Sequence, residues 1–171
     1  MWALPLMLPA QTYRDTANNQ PVENPSRVIQ AIELLQGWSG VSSYLAPDDP
    51  AVAELMSAIE EHLVILMDLE GNYYQPAPEN NLISWNVKKG YFIKMSAPET
   101  LEVEGIYPLS GQLDLQEGWN LIPVLSDQPA DVEDYFAGHL QDVEIVTEAA
   151  GLKVYWPGKS VFTLQQLIPG R

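Results

Sequence analysis

Two histidines are the first candidates for catalysis, because imidazole exchanges a proton near neutral pH. They are His62 and His139 in a chain of 171 residues. Each lies near the end of a predicted helix, where a histidine commonly interacts with the helix dipole or with solvent. No Gly-x-Ser-x-Gly elbow accompanies them, so a Ser-His-Asp triad stays open but unsupported. We therefore expect no catalytic residue, and an enzyme of unknown type is the third functional hypothesis.

Acidic clusters are the next candidates, because carboxylate oxygens bind hard cations such as calcium. They occur at Asp48-Asp49, at Glu60-Glu61 and around Asp131. Calcium loops alternate their oxygen ligands around a glycine, and none of these clusters has that spacing. Helix N-terminal charge is the favoured role for the clusters at Asp48 and Asp131, and calcium binding remains an open alternative. We expect no metal site.

Cysteine chemistry and phosphate loops are missing from the sequence. The chain has no cysteine, which removes thiolate nucleophiles, disulfides and cysteine-type zinc sites. Gly-rich fingerprints of the dinucleotide or Walker type are also absent. We therefore expect no cofactor.

Aromatic side chains suggest carbohydrate binding, because sugar rings stack on exposed aromatic faces. Two pairs recur with a fixed spacing, Trp38 with Trp119 and Tyr74 with Tyr155. Recurring aromatics usually belong to the core, so we expect both tryptophans to be largely buried. The candidate ligand-stacking residues are therefore the others: Trp156, Tyr73 and Trp85. Burial of all three would count strongly against sugar stacking.

The recurring aromatics belong to an internal repeat. Gly37-Trp38 returns as Gly118-Trp119, residues 52–56 return as 132–136, and Gly71 returns as Gly151. One-residue insertions in turns account for the small changes in spacing. A repeat on this scale indicates two similar structural units.

Periodicity predicts the same order of elements in each copy. Short strands at 32–35 and 113–115 precede the Gly-Trp corner, and the runs "WSGVSSYL" and "WNLIPVL" read as further strands. A helix follows, with an apolar stripe at Val52, Leu55, Met56 and Ile59 in the first copy. The second helix begins at Asp131, whose spacing to Asp134 resembles a capping box.

Returning strands complete each copy. The apolar run "LVILMDL" predicts a central strand, and turns at Gly71 and Gly151 lead to "NYYQP" and "KVYWP". Glycine is expected there because a tight hairpin needs a positive φ. Copy one then closes with a hairpin around Ala97-Pro98-Glu99, whereas copy two lacks a counterpart of "GYFIKMSAPETLEVEG".

These elements predict an α+β fold of two tandem strand-rich modules, each a small, mostly antiparallel sheet with one helix. The expected divisions are an N-terminal extension at 1–29, module one at 30–107 and an incomplete module two at 108–171. An open sheet edge templates association. We therefore expect the second sheet to be covered by the apolar segment Trp2 to Leu8, or by a neighbouring copy through edge-strand self-association.

Charge restricts the class of partner. The chain has 23 acidic and 8 basic residues, a formal net charge of −15. Such a surface repels phosphate backbones and anionic lipid headgroups, so we expect no nucleic-acid partner. The N-terminal "MWALPLMLPA" is short, contains two prolines and lacks a basic region. It therefore predicts neither a membrane-inserted span nor a signal peptide.

A known family shares these motifs. The first copy carries "GWSGVSSYL", G-x-Y-Y-x-P and W-x-x-x-K-G-Y-x-I-K-M, and the second carries "GWNLIPVLSD", "VYWP" and L-x-x-L-x-P-G. From about Ile32 to Arg171 the chain resembles a tandem GW(S/N)-type repeat module of large secreted or cell-surface proteins of Bacteroidetes. The first thirty residues lie outside the resemblance, and the shortened second copy departs from it.

The resemblance implies an extracellular or cell-surface location and a non-catalytic structural or adhesion module within a larger protein. Polysaccharide or another surface protein would then be the partner. A carbohydrate-binding module is the alternative hypothesis.

Overall fold

The computed structural model describes residues 27–171. Its first half contains these elements: β1 Val28–Leu34, β2 Gly37–Val41, β3 Ala46–Pro47, α1 Val52–Met56, β4 Leu63–Met67, β5 Tyr73–Tyr74, β6 Tyr91–Met95 and β7 Glu99–Ile106. Its second half contains these: β8 Ala130–Asp131, α2 Val132–Tyr135, β9 Val146–Thr147, β10 Val154–Trp156, β11 Val161–Phe162 and β12 Gln166–Leu167. Short 3₁₀ helices lie at Ser57–Ile59, Leu140–Asp142 and Pro157–Lys159. The expected cover by Trp2 to Leu8 falls outside the described residues.

The strand-rich part of the prediction is confirmed. Residues in strands greatly outnumber residues in helices, and the strands form several small antiparallel sheets, so the described part of the chain is mostly β. The predicted helical stripe is present in α1 and the 3₁₀ helix after it, where Val52, Met56 and Ile59 are buried. No helix within 27–171 is both long and apolar enough to cross a membrane.

Two sheets organise the first half. One has the strand order β1-β7-β3, and the other has the order β2-β6-β4-β5. The predicted hairpin of β6 and β7 is wrong: a turn around Ala97-Pro98 joins the two strands, but each belongs to a different sheet. Their alternating apolar residues are buried. Within its sheet, β6 lies between β2 and β4.

The second half is built from shorter strands. Its sheets have the orders β11-β10-β9 and β12-β8. A separate hydrophobic core lies under them, with these buried members: Val124, Val132, Tyr135, Phe136, Tyr155 and Leu164. The predicted strands at 113–115 and 119–125 do not form: apart from a single β-bridge residue at Leu113, these residues are loop. Their counterparts β1 and β2 pair with β7 and β6.

Matching backbone hydrogen bonds hold each helix N-terminus. In the first half, the Val52 N–H donates to the Ile83 carbonyl at 3.1 Å. In the second, the Val132 N–H donates to the Gln165 carbonyl at 3.0 Å. The first residue of each helix therefore bonds a later segment of its own half, around Ile83 in the first and around Gln165 in the second.

The loop after each short hairpin strand is also the same in both halves. The Leu82 N–H donates to the Tyr73 carbonyl, and the Leu164 N–H donates to the Val154 carbonyl, both at 2.9 Å. A side-chain oxygen closes each loop in return. Asn81 Oδ1 accepts from the Tyr73 N–H, as Thr163 Oγ1 accepts from the Val154 N–H.

The prediction that Trp38 and Trp119 belong to the core is wrong. Trp38 is 46% exposed and Trp119 is 66% exposed. What recurs instead is the glycine before each tryptophan, because Gly37 and Gly118 have φ values of +99° and +94°. The motif thus sets a backbone turn that glycine adopts most readily, and the tryptophan after it projects outward.

The predicted capping box is also wrong. Asp131 makes no side-chain hydrogen bond to the start of α2. Asp131 instead pairs with Gln166 across β8 and β12. Val132, the first residue of the helix, donates its N–H to the Gln165 carbonyl, so one of the four N-terminal N–H groups is satisfied by the backbone.

The two predicted glycine turns differ. Gly71 has a φ of +88°, as a tight turn requires, but the positive φ in the second half falls on Ala150, at +56°. The prediction was therefore right for Gly71 and one residue off for Gly151.

Candidate functional site

The candidate site is an open groove of about 350 Å³ in the first half. It lies between the β4–β5 turn and the segment that leads into β6. The polar residues lining it are Asp68, Asn72, Asn81, Ser84, Asn86 and Lys89.

Asp68 is the most buried charged group of the groove. It directly follows β4 and is only 3% exposed. Its carboxylate accepts the backbone N–H and the side-chain amide of Asn72, both at 2.8 Å. Burial of Asp68 opposes ionisation, but these hydrogen bonds and the positive charge of Lys89 outweigh it and lower the pKa of the carboxyl group. Asp68 is therefore an anion that stabilises the β4–β5 turn.

Lys89 supplies the positive charge of the groove. Its Nζ atom lies 2.9 Å from Glu70 Oε2 and 3.7 Å from Asp68 Oδ2. The hydrogen bond to Glu70 raises the pKa of Lys89, while partial burial opposes the shift. The lysine is therefore already paired with two carboxylates of the turn.

The asparagines of the groove hold backbone turns. Asn81 Oδ1 accepts the Tyr73 N–H at 2.7 Å, and Asn86 Oδ1 accepts the Lys88 N–H at 2.9 Å. The Asn86 N–H in turn donates to the hydroxyl of Tyr91 at 2.7 Å. Burial raises the pKa of Tyr91 to about 12, so its phenol stays neutral.

Trp85 lies beneath the groove rather than in it. It is 4% exposed, and its ring centre lies 4.4 Å from that of Tyr91. Within the described residues its indole Nε1 makes no hydrogen bond. Trp85 thus offers no free face to a sugar ring and acts as a core residue.

Tyr73 and Trp156, the other two candidate stacking residues, are half-buried and lie in different sheets. Tyr73 pairs with Met67 across β4 and β5, beside the groove. Trp156 pairs with Val161 across β10 and β11 in the second half. The three predicted stacking residues therefore do not form one row on one sheet.

The two histidines also lie apart. His62 Nε2 is 3.6 Å from Glu99 Oε1 in the first half, and His139 Nδ1 is 3.8 Å from Asp142 Oδ2 in the second. Each is thus beside a carboxylate near the end of a short helical segment. Within 27–171, no three His, Asp or Glu side chains converge in a way that could hold a metal ion.

Asp68, Asn72 and Lys89 were not predicted as site residues from the sequence. One signal was available: Asp68 interrupts the apolar run "LVILMDL", where a charged residue needs a partner once it is buried. The partner at Lys89 is distant in sequence, and only the fold brings it to the turn.

No family model, curated protein or solved structure matches this chain.

Proposed function

We propose that this chain is a non-catalytic structural or adhesion module of a larger secreted or cell-surface protein. The observation that carries the proposal is that the polar side chains of the groove are hydrogen-bonded to the backbone of the protein itself. Asp68, Asn81 and Asn86 accept backbone N–H groups of the turns around them. Groups held in this way stabilise the scaffold.

Repetition and charge support the same proposal. Two units with matching backbone hydrogen bonds suit a spacer built by duplication. A net charge of −15 keeps such a spacer soluble and repels nucleic acid and anionic lipid. The extracellular or cell-surface location rests on this charge and on the resemblance of the Gly-Trp, Tyr-x-Pro and Lys-Gly-Tyr motifs.

Adhesion is tested by coating beads with the intact chain and measuring their retention under flow. The surfaces carry immobilised polysaccharide, immobilised surface protein or neither. We expect retention on one coated surface, and none for beads that carry heat-unfolded chain. Equal retention on all surfaces would contradict adhesion.

Inertness is tested on panels of glycoside, ester and peptide substrates, with and without a chelator. We expect no turnover. Turnover that disappears in His62→Ala or in Asp68→Asn would instead identify an enzyme, provided that the variant keeps the circular dichroism spectrum of the parent.

A carbohydrate-binding module is the second candidate, favoured by one observation. The groove combines a lysine and amide side chains with the half-buried ring of Tyr73 beside it. Binding on a glycan array that is lost in Tyr73→Ala, but kept in Leu109→Ala, would favour this candidate. Leu109 is fully exposed and serves as the matched control.

A further inference from the structure

The two halves contact each other through the same segment of each repeat, the residues that follow its Gly-Trp pair. In the first half this segment is β2, and its Gly40 lies against Ala149 in the β9–β10 turn of the second half. In the second half the segment reaches Leu121, whose carbonyl accepts the Gly90 N–H of the first half at 2.9 Å. Gly40 and Leu121 each come two residues after the tryptophan of their copy. Both copies of the motif therefore contribute to one junction between the halves.

The junction lies on the outer face of the β2-β6-β4-β5 sheet. Gly40 pairs with Phe92 across β2 and β6. Tyr91 and Ile93, on either side of Phe92, belong to the core of the first half. Because side chains alternate along a strand, Gly40 and Phe92 lie on the face turned away from that core. Gly90 immediately precedes β6 and lies at the same end of the strand pair.

The backbones of the two halves approach too closely for a side chain to fit between them. A Cβ added at Gly40 would lie 2.5 Å from the Ala149 Cβ, closer than two such atoms approach in proteins. A Cβ added at Gly90 would lie 3.1 Å from the Ile122 carbonyl oxygen and 3.1 Å from the Leu121 Cγ. Glycine is therefore used at Gly40 and Gly90 for close approach rather than for a turn.

The residue that joins the halves is held on both sides. Tyr107 directly follows β7, and its ring stacks on that of Tyr44, with centroids 5.8 Å apart and an interplanar angle of 17°. Its hydroxyl donates to Asp127 Oδ2 in the second half at 3.1 Å. Tyr107 thus has partners in both halves.

The β9–β10 turn is strained where it meets the first half. Ala150 has a φ of +56°, whereas the matching turn of the first half places a glycine, Gly71, in this region. A left-handed alanine costs free energy and persists where the surrounding structure fixes it. The neighbouring Ala149, packed on Gly40, holds this turn in place.

We propose that the two halves form one rigid body, held together where the β9–β10 turn and the loop at 118–122 pack on the outer face of the first-half sheet. Tyr107 is then a fixed joint rather than a hinge between two independent modules. The exposed Trp38 and Trp119, which lead into the junction, keep a fixed spacing as a result. This inference does not depend on the proposed function, because the contacts that carry it are the same whatever the chain binds.

Distances between spin labels, measured by double electron–electron resonance, test the rigidity. The chain has no cysteine, so Ile83→Cys and Glu144→Cys place one label on each half at an exposed position. The control pair, Ile83→Cys with Glu102→Cys, lies within the first half. We expect one distance distribution between the halves that is as narrow as that of the control pair.

A compensating pair of substitutions tests the contact itself. Gly40→Ala should broaden the distribution between the halves and lower the urea midpoint, because its Cβ meets Ala149. Ala149→Gly removes the opposing Cβ, so the double variant Gly40→Ala/Ala149→Gly should restore both values of the parent. Gly158→Ala is the control and should change neither, since an added Cβ there makes only ordinary contacts.

Three results would overturn the proposal. A distribution in the parent several times wider than that of the control pair would make Tyr107 a hinge. A distribution for Gly40→Ala as narrow as that of the parent would show that the contact does not hold the halves together. Failure of Ala149→Gly to rescue Gly40→Ala would place its effect within β2. Should Gly40→Ala not fold, folding of the double variant decides in the same way between the junction and β2.

Discussion

Lys94 lies opposite Trp38 across the β2–β6 pair, and its ammonium nitrogen is 5.7 Å from the centre of the indole ring. The tryptophan is thus held at the surface by a cation from the neighbouring strand, with its outer face in solvent. Because the same Gly-Trp motif recurs at Gly118, the motif specifies a turn and an outward aromatic residue.

Trp38→Ala is therefore predicted to destabilise the chain only modestly, by about 1 kcal/mol, since an exposed cation–π contact contributes about 0.5–1 kcal/mol. Tyr74→Ala should cost about 3–5 kcal/mol, the range for removing a large buried aromatic side chain. Urea unfolding of both variants measures the difference. Equal losses of stability would indicate that Trp38 is a core residue.

Asp68→Ala should lower the free energy of unfolding by about 1–3 kcal/mol, because it leaves the Asn72 N–H and amide without their buried acceptor. Glu148 is its counterpart in the second half and is a matched control. It is partly exposed and lies 3.7 Å from Lys153, so Glu148→Ala should cost less than about 1 kcal/mol. A loss for Asp68→Ala no larger than that for Glu148→Ala would show that the β4–β5 turn does not depend on Asp68.

Acid should weaken the first half through Asp68. Its folded-state pKa is lowered, so its contribution is present above the ordinary aspartate pKa and is lost as the pH falls through the folded value. The difference in stability between the parent and Asp68→Asn should therefore shrink on acidification. Denaturant titrations at a series of pH values measure it, and a difference independent of pH would contradict this assignment.

Alkali should weaken both halves through buried phenols. Burial raises the pKa of Tyr91 and of Tyr135 to about 12, from 10.0 in the unfolded chain. Their stabilising effect is fully present below pH 10 and is lost as the pH rises toward 12. Absorbance of tyrosinate should show Tyr91 and Tyr135 among the late-ionising groups. Each of Tyr91→Phe and Tyr135→Phe should remove one, and ionisation of all tyrosines near pH 10 would refute the prediction.

Gly37→Ala should cost about 1–2 kcal/mol, because a side chain is strained at a φ of +99° although the space around it is open. Gly158→Ala is the control: its φ is not positive, and an added Cβ would meet only ordinary contacts with Trp156. Thermal melts of both variants test the turn. A harmless Gly37→Ala would show that the turn tolerates any residue.

Local pattern predicted the features that depend on neighbours in sequence. The helical stripe from Val52 to Ile59 appears, because periodicity specifies it. The turn around Ala97-Pro98 also appears, but its two strands do not pair, because each joins a different sheet. The repeat itself was visible in the spacing of Gly-Trp and of Tyr-x-Pro.

Features that depend on pairing between distant parts of the chain could not be predicted from the sequence. The outward direction of Trp38 follows from its register with Lys94, and the sequence does not state that register. The strand at 119–125 was predicted from its residues alone, yet a strand also requires a partner. Asp68 interrupts an apolar run, which indicates a buried charge that needs a partner, but its ion pair with Lys89 follows only from the fold.

Amide hydrogen exchange of the intact chain tests most directly whether the two halves share one plan but differ at the central strand. It compares 37–41 with 118–122, and 63–67 with 143–147. We predict strong protection of the first-half segments, which both pair with β6, and faster exchange of their second-half counterparts, which pair with no such strand within the described residues. Equal protection of the matched segments would contradict the account.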